Sequence, residues 1–268
     1  MSNYYHGAKA SKQATSVSTP VVADSSIHLI VGAAPVHTVG GKANEPVYAS
    51  NYAEAVAAMG YSDEWDKYDI CEEIYSSFKL YSNGPIIMVN VLDPAKHLKG
   101  AETVEKTLAG GITELPYETV SDTVEVKGYD GEDSLTEAYT RGEDYDLFYT
   151  DGVLRLERIE SGKIKADNAR LNIKFNSVDP SKVTKKDIIG GYDTNTNKSS
   201  GFELVDSVYP KYGVIPTLFL APNFSTDSEV AAIMAAKAEN INGLFTGKAI
   251  IVTLRFALFG CSGVEEQE

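Results

Sequence analysis

The chain has 268 residues, 43% hydrophobic and 23% charged, proportions that suit a folded globular protein and exclude collagen-like, low-complexity and wholly disordered classes. Its 24 Lys and Arg stand against 38 Asp and Glu, a formal net charge of −14. A chain this acidic repels phosphate backbones and anionic surfaces, so neither nucleic acid nor direct membrane insertion is expected of it.

Two cysteines, Cys71 and Cys261, are too few for a disulfide framework or a four-ligand zinc site. Met1 to Thr19 is polar and lacks the apolar stretch of a signal peptide. The longest apolar run, Ala249 to Phe259, is interrupted by Arg255 and falls short of the roughly 20 residues of a spanning helix. The expectation is a soluble chain, not secreted by signal peptide, made in a reducing cytoplasm.

Residues 1–20 read as an extended arm, with Tyr4 and Tyr5 ahead of Gly7 and a Ser/Thr/Val run from Ala14 to Thr19 before Pro20. Thr and Val favour strands, but such a segment cannot bury a core alone. Ile27 to Val31, stopped by Gly32 and Pro35, reads as a buried strand. Asn51 to Met59 predicts a short helix ended by Gly60. Asp69 to Tyr81 predicts a longer one, with Ile70, Ile74, Phe78 and Tyr81 on one face. Ile86 to Leu92 is apolar on both faces, as in a sheet covered by helices on each side.

Between residues 100 and 190 the pattern changes to short β-like runs: Thr123 to Val126, Asp146 to Thr150, Val153 to Ile159 and Ala169 to Phe175. Asp151-Gly152 is a two-residue hairpin signal. Glu114 to Glu160 carries 14 acidic and 4 basic residues, a net of −10 that holds most of the chain's charge. The alternation then resumes: a helix from Phe202 to Tyr212, a strand from Ile215 to Leu220, a helix opened by a Thr226/Glu229 capping box, and a strand from Lys248 to Leu254. The expected fold class is α/β (mixed α+β). Its organisation is an arm (1–20), a core domain in two halves (21–99 and 191–254), an inserted, mostly antiparallel acidic β domain (100–190) and an atypical tail (255–268).

Catalytic and cofactor chemistry is hard to find. His6, His28, His37 and His97 lack metal-site spacing. Gly40-Gly41-Lys42 lacks both the earlier glycine (Val36 is there) and the following Ser or Thr (Ala43 is there) of a phosphate loop. Asp193 to Asn197 opens like a calcium loop, but Lys198 and Leu204 occupy the positions that need Gly and Glu. Asp144 and Asp146 read as a charged outer surface rather than paired catalytic carboxylates. Gly260-Cys261-Ser262-Gly263 is no nucleophile elbow. Cys71 reads as a small core hydrophobe. No catalytic residue, metal or cofactor is expected.

Four segments carry a resemblance. They are Tyr4-Tyr5-His6-Gly7 with the strand into Gly32-Ala33-Ala34-Pro35; Gly84-Pro85 leading into Ile86 to Leu92; Gly201-Phe202-Glu203-Leu204-Val205 running to Tyr209-Pro210-Lys211; and Pro216 to Ser225 followed by a helix through Ala236-Lys237-Ala238-Glu239. Together they resemble the tail sheath proteins of contractile phages and related injection particles. Where many relatives have Gly before the Phe-Ser pair this chain has Asn223, which also tolerates a left-handed turn. The ending departs from the pattern, residues 255–268 replacing the usual further helices and C-terminal arm, as in a truncated or frameshifted gene.

The resemblance implies a structural subunit of the virion tail, not an enzyme. It would stack as six-membered rings around a tail tube, meet baseplate and tail terminator proteins, and contract to drive the tube through the target envelope. Assembly would take place in the host bacterial cytoplasm. Terminal arms would join neighbours by β-augmentation, with Tyr4, Tyr5, Val17, Thr19 and Val21 as the arm's assembly interface. Two alternatives remain: an α/β enzyme taking a small ligand at the strand ends near Gly32 and Pro222, and a truncated sheath remnant unable to assemble.

Overall fold

The computed structural model describes residues 27–129 and 134–252. The expected interface residues Tyr4, Tyr5, Val17, Thr19 and Val21, together with His6, Cys261 and the tail from residue 253, lie outside the described residues.

The chain enters through β1 (His28–Gly32), makes a 3-10 turn at Val36–Thr38, and returns as the short β2 (Pro46–Ala49). Helix α1 (Tyr52–Met59) is capped by the Asn51 side chain, which accepts from Glu54 N, and Gly60 ends it at φ +73°. Helix α2 (Asp69–Tyr75) passes directly into a π-helical turn, Ser76–Leu80. That wider turn rotates the apolar face. Ser77 becomes buried, while Tyr81, expected on the inner face, is 76% exposed. After the cis Gly84–Pro85 bond, β3 (Ile86–Asn90) is buried at every position.

Seven strands follow: β4 (Leu98–Thr107), β5 (Ile112–Pro116), β6 (Glu125–Tyr129), β7 (Ser134–Tyr139), β8 (Tyr145–Thr150), β9 (Val153–Arg158) and β10 (Arg170–Val178). They form two antiparallel sheets, ordered β4-β10-β6-β7 and β5-β9-β8. The inner residues of both, among them Val126, Leu147, Leu154, Leu156, Leu171, Ile173 and Phe175, share one core, so this unit is a β-sandwich. Asp151 and Gly152 make the β8–β9 turn at φ +48° and +75°, with Thr150 facing Val153. Both positive angles are what a type I′ hairpin requires.

The chain rejoins the core through α3 (Lys185–Ile189), whose Ile188 is buried there with Val183, and a small hairpin of β11 (Gly191–Asp193) and β12 (Lys198–Ser200). A 3-10 turn, Gly201–Leu204, leads into α4 (Val205–Tyr212); then come β13 (Leu218–Leu220), α5 (Ser228–Glu239) and β14 (Lys248–Ala249). Helix α5 is capped by Asp227, which accepts from Glu229 N and Val230 N, one residue later than the expected Thr226. The carboxylate of Asp227 reaches two amides and also carries negative charge to the positive helix end. Ile251 and Val252, expected to continue the last strand, leave the ladder after Ile250, whose N–H donates to Phe219 O at 3.0 Å; Thr253 and Leu254 lie outside the described residues.

The core sheet runs β14-β13-β1-β3-β2, parallel except for β2. Alternate residues of its strands go to opposite faces. Leu29, Val31, Ile87, Val89 and Phe219 pack with Phe202, α4 and α5, whereas Ile30, Ile86 and Met88 pack with α1 and α2. The fold is therefore mixed α+β, an α/β core carrying a β-sandwich.

Candidate functional site

Two regions offer themselves: the strand ends of the core sheet and the sheet's open edge. The first is set by topology. The chain adds β3 on one side of β1 and later β13 on the other, so the order reverses at β1, and ligands of open α/β sheets lie beyond the strand ends at such a point. Gly32 and Pro222 do sit here. A cavity of about 380 Å³ opens beside Ala33, Asp69, Ser181 and Asn223, and one of about 210 Å³ lies between Asp69, Pro222 and Ser225. Asn223 has φ +62°, the left-handed turn expected of it.

Asp69 stands between the two cavities and is buried. Its Oδ1 accepts from Ala33 N at 2.6 Å, so the carboxyl ends β1 by taking an amide that the sheet leaves over. Burial pushes its pKa up to about 7 against the pull of those amide hydrogen bonds. Gly32 is required beside it, since a Cβ there would lie 2.9 Å from Asp69 Cγ and closer still to Oδ1. No histidine lines either cavity, and burial pushes the neighbouring Cys71 thiol up to about 12, far from a thiolate at neutral pH.

The other singled-out groups also act within the fold. His28 Nδ1 meets Glu73 Oε1 at 2.9 Å, and His37 and His97 are buried against backbone atoms. Asp193 accepts from Asn195 N and Thr196 Oγ1, closing the β11–β12 hairpin. Asp144 corrects the expectation of an exposed charge. It is buried, its two oxygens accept from Thr140 N at 2.8 Å and Lys163 N at 2.7 Å, and the Thr140 amide above all holds its pKa below the usual value. Asp146, two residues on, does face solvent. Among the described residues, no three His, Cys, Asp or Glu side chains converge as metal ligands. No described helix is long and apolar enough to cross a membrane.

The second region is the sheet edge. At one end β2 is short, begins with Pro46, and is covered by α4, whose Tyr212 OH and Lys211 Nζ donate to Pro46 O at 2.6 and 3.0 Å. At the other end β14 has one neighbour, β13, among the described residues. Beyond it Ile250, Ile251 and Val252 are 45%, 39% and 57% exposed. An open edge followed by three aliphatic residues is a template for another strand. The outer strand of the sandwich, β4, differs: it is long but studded with Lys99, Glu102, Glu105 and Lys106, charges that discourage pairing.

No family model matches the sequence. Among characterised proteins the chain is similar to a tail sheath protein of Burkholderia phage BcepMu, with 27% identity over 261 residues, 96% of this chain. The aligned part is 51% of that protein, so the chain spans about half the length of the relative it matches.

Proposed function

We propose that this relative of a phage tail sheath protein is itself a structural subunit of a contractile tail sheath and not an enzyme. The observation that carries the reading is the similarity to a sheath protein across 96% of the chain, in line with the four segments that carry the resemblance in sequence. In this reading the subunit belongs to the virion tail, stacks as hexameric rings around a tail tube, and contracts by rigid-body rotation of subunits, so that work comes from repacked interfaces. Its partners are other copies of itself, the tube protein, and the baseplate and terminator proteins at the two ends. Assembly takes place in the host bacterial cytoplasm.

Two features support a self-assembling role. Among the described residues the core sheet ends in the β14 edge, with aliphatic residues beyond it, which suits β-augmentation by a neighbour's arm. The sandwich carries half of the net negative charge, concentrated between Glu114 and Glu160, which suits an outer layer that keeps a long polymer soluble. The arm residues Tyr4, Tyr5, Val17, Thr19 and Val21 are proposed as the docking element. Sedimentation of the purified chain with its tube protein tests the reading. A sheath subunit gives fast-sedimenting polymer at raised concentration. A discrete small oligomer, unchanged by concentration and by the tube protein, would overturn it.

A further inference from the structure

The sandwich meets the core at two joints, and each contains a buried histidine. The root joint is where the chain leaves and re-enters the core. Leu98 pairs with Val178, Asp179 N–H donates to His97 O at 2.8 Å, and Lys182 Nζ donates to Leu98 O at 2.5 Å. His97 Nδ1 accepts from Asp93 N at 2.9 Å, so its proton sits on Nε2, 3.7 Å from Asp187 Oδ1. Burial and Lys96 lower the His97 pKa while Asp187 and Asp93 oppose them, so a charge gained there would face the Asp187 carboxylate that Lys96 also pairs.

The second joint is built differently. The loop after β5 lays Tyr117 on the core, its OH donating to Tyr61 O at 2.8 Å. His37, on the 3-10 turn after β1, has Nε2 3.0 Å from Tyr117 O. A carbonyl only accepts, so the neutral ring carries its proton on Nε2. Nδ1 is buried with no hydrogen-bond partner. Around the ring stand Tyr68 of the core at 6.5 Å and Tyr117 and Tyr149 of the sandwich, both at 5.8 Å between centroids. The charged side chains around this joint are Glu118 and Lys67, 2.8 Å apart, Glu64, which pairs with the same Lys67 at 2.9 Å, Asp63 and Asp151 beside Tyr117, and Asp122 and Arg141 towards Tyr149; the tyrosines Tyr68, Tyr117 and Tyr149 are held neutral by burial. A second proton on His37 would place a cationic N–H where no acceptor reaches it, a costly state for a buried group.

We propose that His37 is a pH-sensitive latch between the two units: neutral, it holds the Tyr117 loop on the core, and protonated, it frees that joint while the root stays closed, so that the sandwich swings about its root with both units still folded. Burial lowers the His37 pKa from its ordinary 6.5, despite the opposing pull of Tyr117 O and Glu118. The folded joint therefore favours the neutral ring. Docking is full above pH 6.5 and weakens as the pH falls below it. The inference concerns the chain by itself and holds whatever the chain assembles into.

Amide hydrogen exchange on the full chain tests it, read at about pH 7.5 and about pH 5.5 with rates corrected for intrinsic pH dependence. At the lower pH, residues 36–39 and 117–121 should exchange at least about tenfold faster, while β3 and β9 stay unchanged. His37→Phe keeps a ring and loses the titration, so its loop should show no such acceleration. A wild-type loop indifferent to pH, an equal acceleration in the variant, or a uniform acceleration that includes β3 and β9 would each overturn the latch. NMR titration of His37 in the unaltered chain needs no variant. A midpoint below 6.5 that coincides with the loop's exchange midpoint is expected, and one at or above 6.5 overturns the proposal.

Discussion

Gly32→Ala tests how the end of β1 is built. The new methyl carbon would lie 2.9 Å from Asp69 Cγ and closer to Oδ1, so one of the two must move. The backbone is held by the five-residue register with β3, and the carboxyl yields. Moving it breaks the 2.6 Å bond from Ala33 N inside a buried site. Losing that bond costs about 1–3 kcal/mol, and forcing a methyl group into filled space adds about 1–3 kcal/mol. Together the expected loss is roughly 2–6 kcal/mol. The chain's single tryptophan, Trp65, packs on Tyr75 of α2 at 5.5 Å between centroids, so urea unfolding followed by its fluorescence reports on this part of the core. Asp69→Ala supplies the control. It leaves Ala33 N without its acceptor, yet it vacates the space the methyl needs, so Gly32→Ala in that background should cost less than about 1 kcal/mol. Single-variant losses that add to within about 0.5 kcal/mol would refute the assigned contact.

Further expectations concern the sandwich, the pH dependence and the arm. Phe175→Ala should destabilise the sandwich by about 3–5 kcal/mol, because Phe175 is fully buried between its sheets; near-ultraviolet dichroism of the sandwich tyrosines reads the loss while Trp65 fluorescence stays native. Asp69, with its pKa raised to about 7, makes the core less stable as pH rises from 3.8 through 7; Asp69→Asn should flatten the denaturation midpoint over that interval. Asp144 has the opposite sign: its lowered pKa adds stability that is lost as pH falls below 3.8, and Asp144→Asn should remove that acid sensitivity in urea titrations. Deleting residues 1–20 should leave the monomer's melting curve unchanged and abolish pelletable polymer; normal tubes from the deletion would end the arm's assigned role.

Much of the core was legible because its signals are local. The apolar runs at Ile27 and Ile86 and the helix from Asn51 ended by Gly60 each fix their own backbone within a few residues, as Asp151-Gly152 does in the sandwich. The misses come from long-range effects. Strand β4 has Leu98 and Val104 half-buried and its other residues exposed, so it carries no alternation; pairing with β10 makes it a strand. Residues Ser76–Leu80 continue the α2 pattern in sequence, and only the π-helical turn turns Tyr81 outward. At the strand ends, Gly32 can be read as a strand stop, but Asp69, which explains it, is 37 residues away and marks in sequence only the start of a helix. The His37 joint was equally hidden, because Tyr117 and Tyr149 reach it only through the folding of the sandwich.

Negative-stain electron microscopy of the purified chain mixed with its tail-tube protein tests the sheath reading most directly. A sheath subunit should produce hollow, regularly striated cylinders around the tubes, and shorter, wider ones after contraction. Bare tubes beside monomers or small oligomers, at concentrations where the chain is folded, would contradict it.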